Sequence, residues 1–248
     1  MKAYRALVAT LWRSQRREPV GLFFAFAFAP ALVIILGLIF GNDPRTEFGG
    51  RGMLDSSLPG FASLVLAMTG VLQVPVSLLT LRDTGALRRL GLTPLRRSTF
   101  VAAALTVNFC VGMGGMLAAL LVGVLVFHVA LPSSVLGVLL ACAYGLAAFL
   151  PLGFALAGLY PSVGAATGVG NVLMILLMLT SGAFTPTSVL PDGVRRVFEF
   201  SPVRWFVDLT QPLWDAGTVT MRPLLLLTAL LVAAALMGRL LFRWETAR

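Results

Sequence analysis

The chain has 248 residues, of which 58% are hydrophobic and only 12% are charged, and its formal net charge is +9. A soluble domain of this length usually carries about 25% charged residues, so this composition excludes a water-exposed globule and indicates a surface that faces lipid. The basic residues lie in short blocks between apolar runs and form no single solvated stripe, which argues against a nucleic-acid partner.

Six apolar runs are long enough to cross a lipid bilayer, whose hydrocarbon core needs about 20 residues of helix. They lie at about 20–41, 58–81, 100–128, 133–159, 166–185 and 221–242. The runs are continuous and do not alternate with a period of two, so they predict helices rather than strands. We therefore predict an all-α integral membrane protein with six transmembrane helices. Its membrane domain at 20–242 lies between an N-terminal segment at 1–19 and a tail at 243–248.

The first sixteen residues have the spacing of an amphipathic helix. Apolar side chains recur at intervals of three and four residues, and basic side chains fall on the opposite arc. The apolar set is Tyr4, Leu7, Val8, Leu11 and Trp12, and the basic set is Lys2, Arg5, Arg13 and Arg16. We predict a helix that lies in the membrane interface with its arginines towards anionic head groups. A solvated basic tail is the alternative.

The basic residues also predict the orientation. Thirteen of the nineteen lysines and arginines fall in the N-terminal segment, the loop between the second and third runs, and the C-terminal tail, whereas six fall in the other connections. Basic residues near transmembrane helices concentrate in cytoplasmic loops. We therefore predict that both termini are cytoplasmic.

The loop at 81–98, on the predicted cytoplasmic side, contains a second amphipathic pattern. Leu87 and Leu90 have the spacing of one helix face, and the two arginines between them lie on the other. Pro94 disfavours helical backbone at Thr93 and so ends the helix. A short helix of this kind suits docking into a groove on a soluble partner, although a basic loop that only fixes the topology has the same composition.

Three amide side chains lie within the apolar runs, at Gln73, Asn108 and Asn171. Each is a candidate for contact with a transported molecule. The alternative is a hydrogen bond to a neighbouring helix, which contributes about 0.6 kcal/mol on average.

The chain shows no pattern typical of a catalytic or metal site. Cys110 and Cys142 lie in apolar runs, and His128 stands alone, so neither a disulfide framework nor a zinc cluster is indicated. A nucleotide-binding glycine loop needs a lysine beside its serine or threonine, and the only lysine is Lys2. We predict no catalytic residue and no metal ligand in this chain.

The segment after the fifth run cannot continue as one regular helix, because Pro186 and Pro191 interrupt it. The stretch at 200–214 is apolar and aromatic but too short to cross a bilayer, and its tryptophans favour the membrane interface. We predict an external segment at 186–220 that re-enters or caps the outer leaflet.

Four features follow one another along the chain. The first is the order of six spans. The others are Arg82-Asp83-x-Gly85-x-Leu87-x-x-Leu90-x-x-Thr93-Pro94, then Ser181-Gly182-x-Phe184-x-Pro186 with Leu190-Pro191, and Ser201-Pro202 with Trp205 and Asp208. Together they resemble the membrane subunit of type-2 ATP-binding-cassette exporters, especially the bacterial drug and antibiotic exporters of the daunorubicin type. The resemblance covers nearly the whole chain.

The resemblance implies a coupling helix at residues 82–95, which is the segment through which such permeases contact their ATPase. The matching positions are Arg82, Asp83, Gly85, Leu87, Arg88, Arg89, Leu90, Thr93 and Pro94. Asp83 stands where the family often has glutamate. The N-terminal helix matches the family's connecting helix. The external re-entrant helices would include Phe184, Pro186, Pro191, Pro202, Trp205 and Asp208.

The resemblance also implies a function. A dimer of this chain with a second copy or a related permease would sit among membrane lipids on two copies of a cytoplasmic ATPase, which bind ATP and Mg. This chain would hold no cofactor. The dimer would move a hydrophobic or amphipathic molecule of the drug or antibiotic class out of the cell across the bacterial cytoplasmic membrane. The alternatives are a lipid, polysaccharide or haem-type cargo, an integral-membrane lipid-modifying enzyme, and a passive channel.

Overall fold

The structure is a computed structural model that describes residues 2–17, 23, 26–44, 52–92, 95–183 and 192–241. All regular secondary structure in these residues is helical. The helices in chain order are α1 (Lys2–Arg16), α2 (Phe28–Phe40), α3 (Met53–Asp83), α4 (Ala86–Gly91), α5 (Arg97–Phe127), α6 (Val135–Leu159), α7 (Val163–Thr180), α8 (Asp192–Phe198), α9 (Pro202–Asp215) and α10 (Met221–Leu241).

Five of the predicted spans correspond to helices that are long and apolar enough to cross a membrane. These are α3, α5, α6, α7 and α10, which have between 18 and 31 residues. The predicted first span at 20–41 contains α2, which has 13 residues in the described part of the chain. Residues 20–22, 24 and 25 of that span lie outside the described residues.

The helix ends differ by a few residues from those predicted, because polar side chains satisfy the terminal backbone groups. α3 begins at Met53 and not at 58, and the Asn42 side-chain oxygen accepts a hydrogen bond of 3.2 Å from the Asp55 N–H in its first turn. α7 ends at Thr180 and not at 185. The Ser181 hydroxyl there donates to the Met178 carbonyl at 2.7 Å and closes the last turn.

α3 is the central helix, and α2, α5, α6, α7 and α9 pack around it. Its middle, Met68–Gln73, is a π-helical turn. Pro75 accounts for this turn, since proline has no N–H and its ring crowds the carbonyl four residues earlier, at Val71. The helix widens there and then continues as an α-helix to Asp83.

The two ends of the helical bundle differ in composition. One end holds α1, α4, the last turns of α3, α6 and α10 and the first turns of α5 and α7. We call it the arginine-rich end, because it carries Arg82, Arg88, Arg89, Arg96, Arg97 and Arg239 together with the basic face of α1. The opposite end holds α8 and α9.

α1 packs along α5 through its apolar face. Leu7 is buried, Leu11 is half-buried, and the Tyr4 hydroxyl lies 2.7 Å from the Thr106 hydroxyl of α5. The basic side chains of α1 are exposed. The predicted amphipathic helix is therefore present, and its apolar face is covered in large part by the protein's own α5.

α9 is held among the transmembrane helices by its apolar face. Phe206 is fully buried and occupies a space next to Gly145 of α6, where a Cβ would lie 2.7 Å from the Phe206 ring. Hydrogen bonds fix both ends of the helix. The Thr180 and Ser201 hydroxyls are 2.6 Å apart at its start, and the Ser133 hydroxyl donates to the Asp215 carbonyl at 2.9 Å at its end.

α3 and α6 approach closely because glycine lies at their crossing on both helices. A Cβ on Gly153 would lie 2.6 Å from the Gly70 carbonyl oxygen and 2.7 Å from Cβ of Val74. Backbone atoms cannot move aside as the end of a flexible side chain can. A side chain at this position would therefore separate the two helices.

Gly153→Ala is expected to destabilise the protein by about 1–3 kcal/mol, the usual cost of overpacking. The measurement is the thermal unfolding midpoint of the detergent-purified chain. Gly238→Ala is the matched control, because Gly238 of α10 also faces α6 but an added Cβ would be 3.6 Å from its nearest neighbours, an ordinary contact. Equal midpoints for the two variants would contradict this account of the crossing.

Candidate functional site

The turn between α3 and α4 depends on a left-handed glycine. Gly85 has φ +69° and ψ 10°, a conformation that glycine adopts without steric cost. Its N–H donates to the Arg82 carbonyl at 3.0 Å, and its carbonyl accepts from the Arg89 N–H at 3.1 Å. One residue therefore ends the long helix and begins the short one, which turns α4 away from the axis of α3.

The apolar side of α4 faces the transmembrane helices. Leu87 is fully buried and packs in a cluster that includes Leu78 of α3, Phe100 of α5 and Phe154 of α6. Leu90 is half-buried against the same cluster. The resemblance grouped Leu87 with the partner-contacting residues, but its side chain lies beneath α4. Its role in this structure is to hold α4 in position.

The outer side of α4 presents polar and basic groups. Asp83, Thr84, Arg88 and Arg89 are exposed, and the Arg89 guanidinium donates to the Thr84 carbonyl at 3.2 Å. Leu92, which the sequence analysis did not select, is 85% exposed. Asp83, Thr84, Arg88, Arg89 and Leu92 are called the α4 surface below. Thr93 and Pro94 lie outside the described residues.

The exposure of Leu92 could have been predicted from helical spacing. It lies five residues after Leu87, which is about 500° of rotation in an α-helix and places it far from the buried face. Arginine is enriched at contact sites between proteins, and the exposed Leu92 adds apolar area beside the arginines of α4.

Arg82 connects the end of α3 to the turn between α6 and α7. Its guanidinium donates to the Pro161 carbonyl at 2.8 Å, and its Nε lies 3.7 Å from a carboxylate oxygen of Asp83. The Arg82 side chain is only 14% exposed. The segment that leads into α4 is thus hydrogen-bonded to the backbone just before α7.

The three amide residues of the apolar runs lie in three different places. Gln73 ends the π-helical turn of α3, and its buried amide nitrogen has no hydrogen-bond partner among the described residues. The Asn108 amide donates to the Ala104 carbonyl of its own helix at 2.9 Å. Asn171 is exposed on α7. The three side chains thus have three different environments.

Asn108 borders a small cavity of about 50 Å³ between α1, α3 and α5. Its buried carbonyl oxygen has no hydrogen-bond partner among the described residues, and Gln15, Ser77 and Thr80 also line the space. A polar cavity of this size can hold an ordered water molecule. It is too small for a transported organic molecule.

At the opposite end, the predicted external residues that the structure describes belong to α9. Pro202 is its first residue, and the Trp205 indole N–H donates to the Glu199 carbonyl at 2.7 Å. Asp208 forms an ion pair of 2.8 Å with Arg204. Partial burial raises the pKa of Asp208, while the Arg204 guanidinium acts in the opposite direction. Phe184, Pro186 and Pro191 lie outside the described residues.

The α4 surface is the part of the candidate site that a partner could contact. Among the residues that the structure describes, no group of three or more His, Cys, Asp or Glu side chains is placed to hold a metal ion. The α4 surface combines two exposed guanidinium groups, one exposed carboxylate, one exposed hydroxyl and one exposed leucine around a helix that is packed into the bundle. Such an arrangement can bind a partner with an acidic, partly apolar surface.

Comparison with known proteins gives two findings. A family model described as ABC-2 type transporter matches residues 2–212, which include α4 and its turn. A Bacillus subtilis (strain 168) protein, provisionally named as the transport permease YvfS, is 32% identical over 104 residues. That match covers 42% of this chain and 42% of the relative, so the chain spans less than half the length of this relative.

Replacement of Leu87 by alanine is expected to lower the free energy of unfolding by about 2–5 kcal/mol, because it removes a fully buried side chain. Leu92→Ala is the control of the same chemical type in the same loop, and it should leave stability unchanged because Leu92 is exposed. Thermal unfolding of both purified variants tests this difference. A Leu87→Ala midpoint equal to that of the wild type would show that α4 is not anchored in this way.

Proposed function

Because the chain belongs to the ABC-2 type transporter family, we propose that this transport permease is the membrane subunit of an ATP-driven exporter. Its cargo would be a hydrophobic or amphipathic small molecule of the drug or antibiotic class. The same permease with a lipid, polysaccharide or haem-type cargo is the second candidate. The observation that supports coupling to an ATPase is the α4 surface, which is exposed on one side and anchored to the bundle on the other.

The anchoring explains how a force on α4 would reach the membrane helices. Leu87 is packed against α3, α5 and α6, so the short helix cannot shift without displacing their ends. Arg82 adds a hydrogen bond to the turn that begins α7. Binding of a partner to the α4 surface would therefore bias the positions of four transmembrane helices together.

The energy source would be a separate polypeptide. The only lysine of the chain is Lys2 and it lies in α1, outside any glycine-rich loop. Two copies of an ATPase would bind ATP and Mg and contact the α4 surface with acidic side chains. A ligand shifts a conformational equilibrium only by its different affinity for the two states. ATP would supply that difference by favouring the closed ATPase dimer.

We propose six membrane crossings, with α2 and the residues before it forming the first. The arginine-rich end would be cytoplasmic, since basic residues concentrate on that side of bacterial membranes. Both termini would then be cytoplasmic, and α8 and α9 would lie at the external side. α9 would enter the outer leaflet without crossing it, because its 14 residues are too few to span a bilayer.

A second copy of the chain, or a related permease, would cover α7. This helix is the least buried of the spans together with α10, and it exposes Val172, Ile175 and Leu179. Asn171 lies on the same exposed side. An amide in contact with lipid tails lacks hydrogen bonds. Pairing of the two Asn171 side chains across a two-fold interface would satisfy them. The export pathway would follow this interface.

Charge reversal of the α4 surface tests the coupling. Arg88→Glu combined with Arg89→Glu should reduce co-purification with nucleotide-binding subunits at least tenfold, because acidic partners would be repelled. Quantitative mass spectrometry of the affinity-purified complex measures this. The control is Arg195→Glu with Arg196→Glu, a basic pair at the opposite end of the bundle. The coupling proposal fails if the wild-type chain brings down no nucleotide-binding subunit.

Cysteine labelling tests the orientation. In a chain with Cys110 and Cys142 replaced by alanine, Leu92→Cys should resist an impermeant thiol reagent in intact cells, whereas Gly193→Cys should react. Both positions are exposed on the protein, so the result depends on which side of the membrane each thiol faces and not on its burial. Permeabilised cells should label at both sites. The reverse pattern in intact cells would show that the arginine-rich end faces outwards.

A further inference from the structure

A cleft of about 470 Å³ lies at the arginine-rich end, between α5, α6 and α10. Its walls are apolar and include Val101, Leu105, Phe154 and Ala234. Arg97 and Arg239 line the same cleft. None of the functions described above uses this space.

The two arginines stand at the boundary between the polar end and the apolar spans. Arg97 is the first residue of α5, Arg239 lies in the last turn of α10, and both are exposed. The apolar wall residues Val101 and Leu105 follow Arg97 at intervals of four residues, so they continue from it along one face of α5. The cleft therefore has a charged mouth and an apolar interior that runs into the membrane.

Neither α1 nor α7 covers the cleft. α1 contacts α5 through Thr106, and no described residue of α1 is among those that line the cleft. Among the described residues, those that line the cleft come from α5, α6 and α10. The cleft thus lies away from the α7 face that a second copy would cover, and lipid would be its neighbour.

We propose that this cleft binds one anionic phospholipid. The guanidinium groups of Arg97 and Arg239 would bind the phosphate, for which arginine has a suitable planar geometry. The acyl chain would lie against the apolar walls in place of other lipid tails. A zwitterionic lipid such as phosphatidylcholine carries an ammonium group that the two arginines would repel. The glycerol head group of phosphatidylglycerol carries no positive charge. The site therefore selects for negative net charge.

The bound lipid would connect α5 and α10, which both pack against α6. Its phosphate would join the start of α5, which follows α4, to the end of α10. It would thereby stabilise the helix ends near the α4 surface. This proposal requires only that the helices span a membrane, so its failure would leave the proposed transport function untouched.

Native mass spectrometry of the full-length chain in detergent tests the site. The probes are dioleoyl phosphatidylglycerol and dioleoyl phosphatidylcholine, added to delipidated protein. One phosphatidylglycerol should bind per chain in preference to phosphatidylcholine. Arg97→Gln with Arg239→Gln should weaken binding about thirtyfold, since each basic residue contributes about 1 kcal/mol towards anionic lipid. Arg88→Gln with Arg89→Gln removes the same charge from the same end and should not alter binding.

A second variant separates the cleft from general surface attraction. Ala235→Phe keeps both arginines but fills the space between the helices, because Ala235 also lines the cleft. It should reduce phosphatidylglycerol binding while the thermal midpoint without lipid stays the same. Normal binding by this variant would overturn the proposal, since charge alone would then explain the attraction. Equal binding of the two lipids, or no lipid bound to the wild type, would also overturn it.

Discussion

A helix of six residues is too short to be stable by itself in water, so α4 depends on the burial of Leu87 against α3, α5 and α6. The same contact fixes the exposed arginines that a partner would meet. Protein interiors are closely packed, so a buried leucine cannot move without moving the side chains around it. The α4 surface can thus act on the membrane helices through packing, and its charges serve recognition.

The order and type of the helices could be predicted from the sequence because the bilayer itself sets the length of an apolar run. The helix in the loop at 81–98 was also predictable, from the spacing of Leu87 and Leu90. Spacing identifies the two faces of a helix but not what covers each face. The motif therefore placed Leu87 with the contact residues, although the structure places it in the core.

Other features depend on contacts between distant parts of the chain. The hydrogen bond from Arg82 to Pro161 joins residues that are 79 positions apart, and no local pattern indicates it. The three amide residues of the spans looked equivalent in the sequence. The structure places Gln73 beside the π-helical turn, Asn108 against a small cavity and Asn171 on an open face, so their environments decide their roles.

The π-helical turn at Met68–Gln73 changes the phase of α3. A turn of this kind accommodates one additional residue in an α-helix, and one residue corresponds to about 100° of rotation. Loss of one residue inside the turn, combined with replacement of Pro75, would restore regular geometry and keep Leu78 on the side that faces α5 and α6. Loss of one residue elsewhere in α3 would rotate that side away. We therefore expect α3 to tolerate the deletion of one residue only within the π-helical turn at Met68–Gln73.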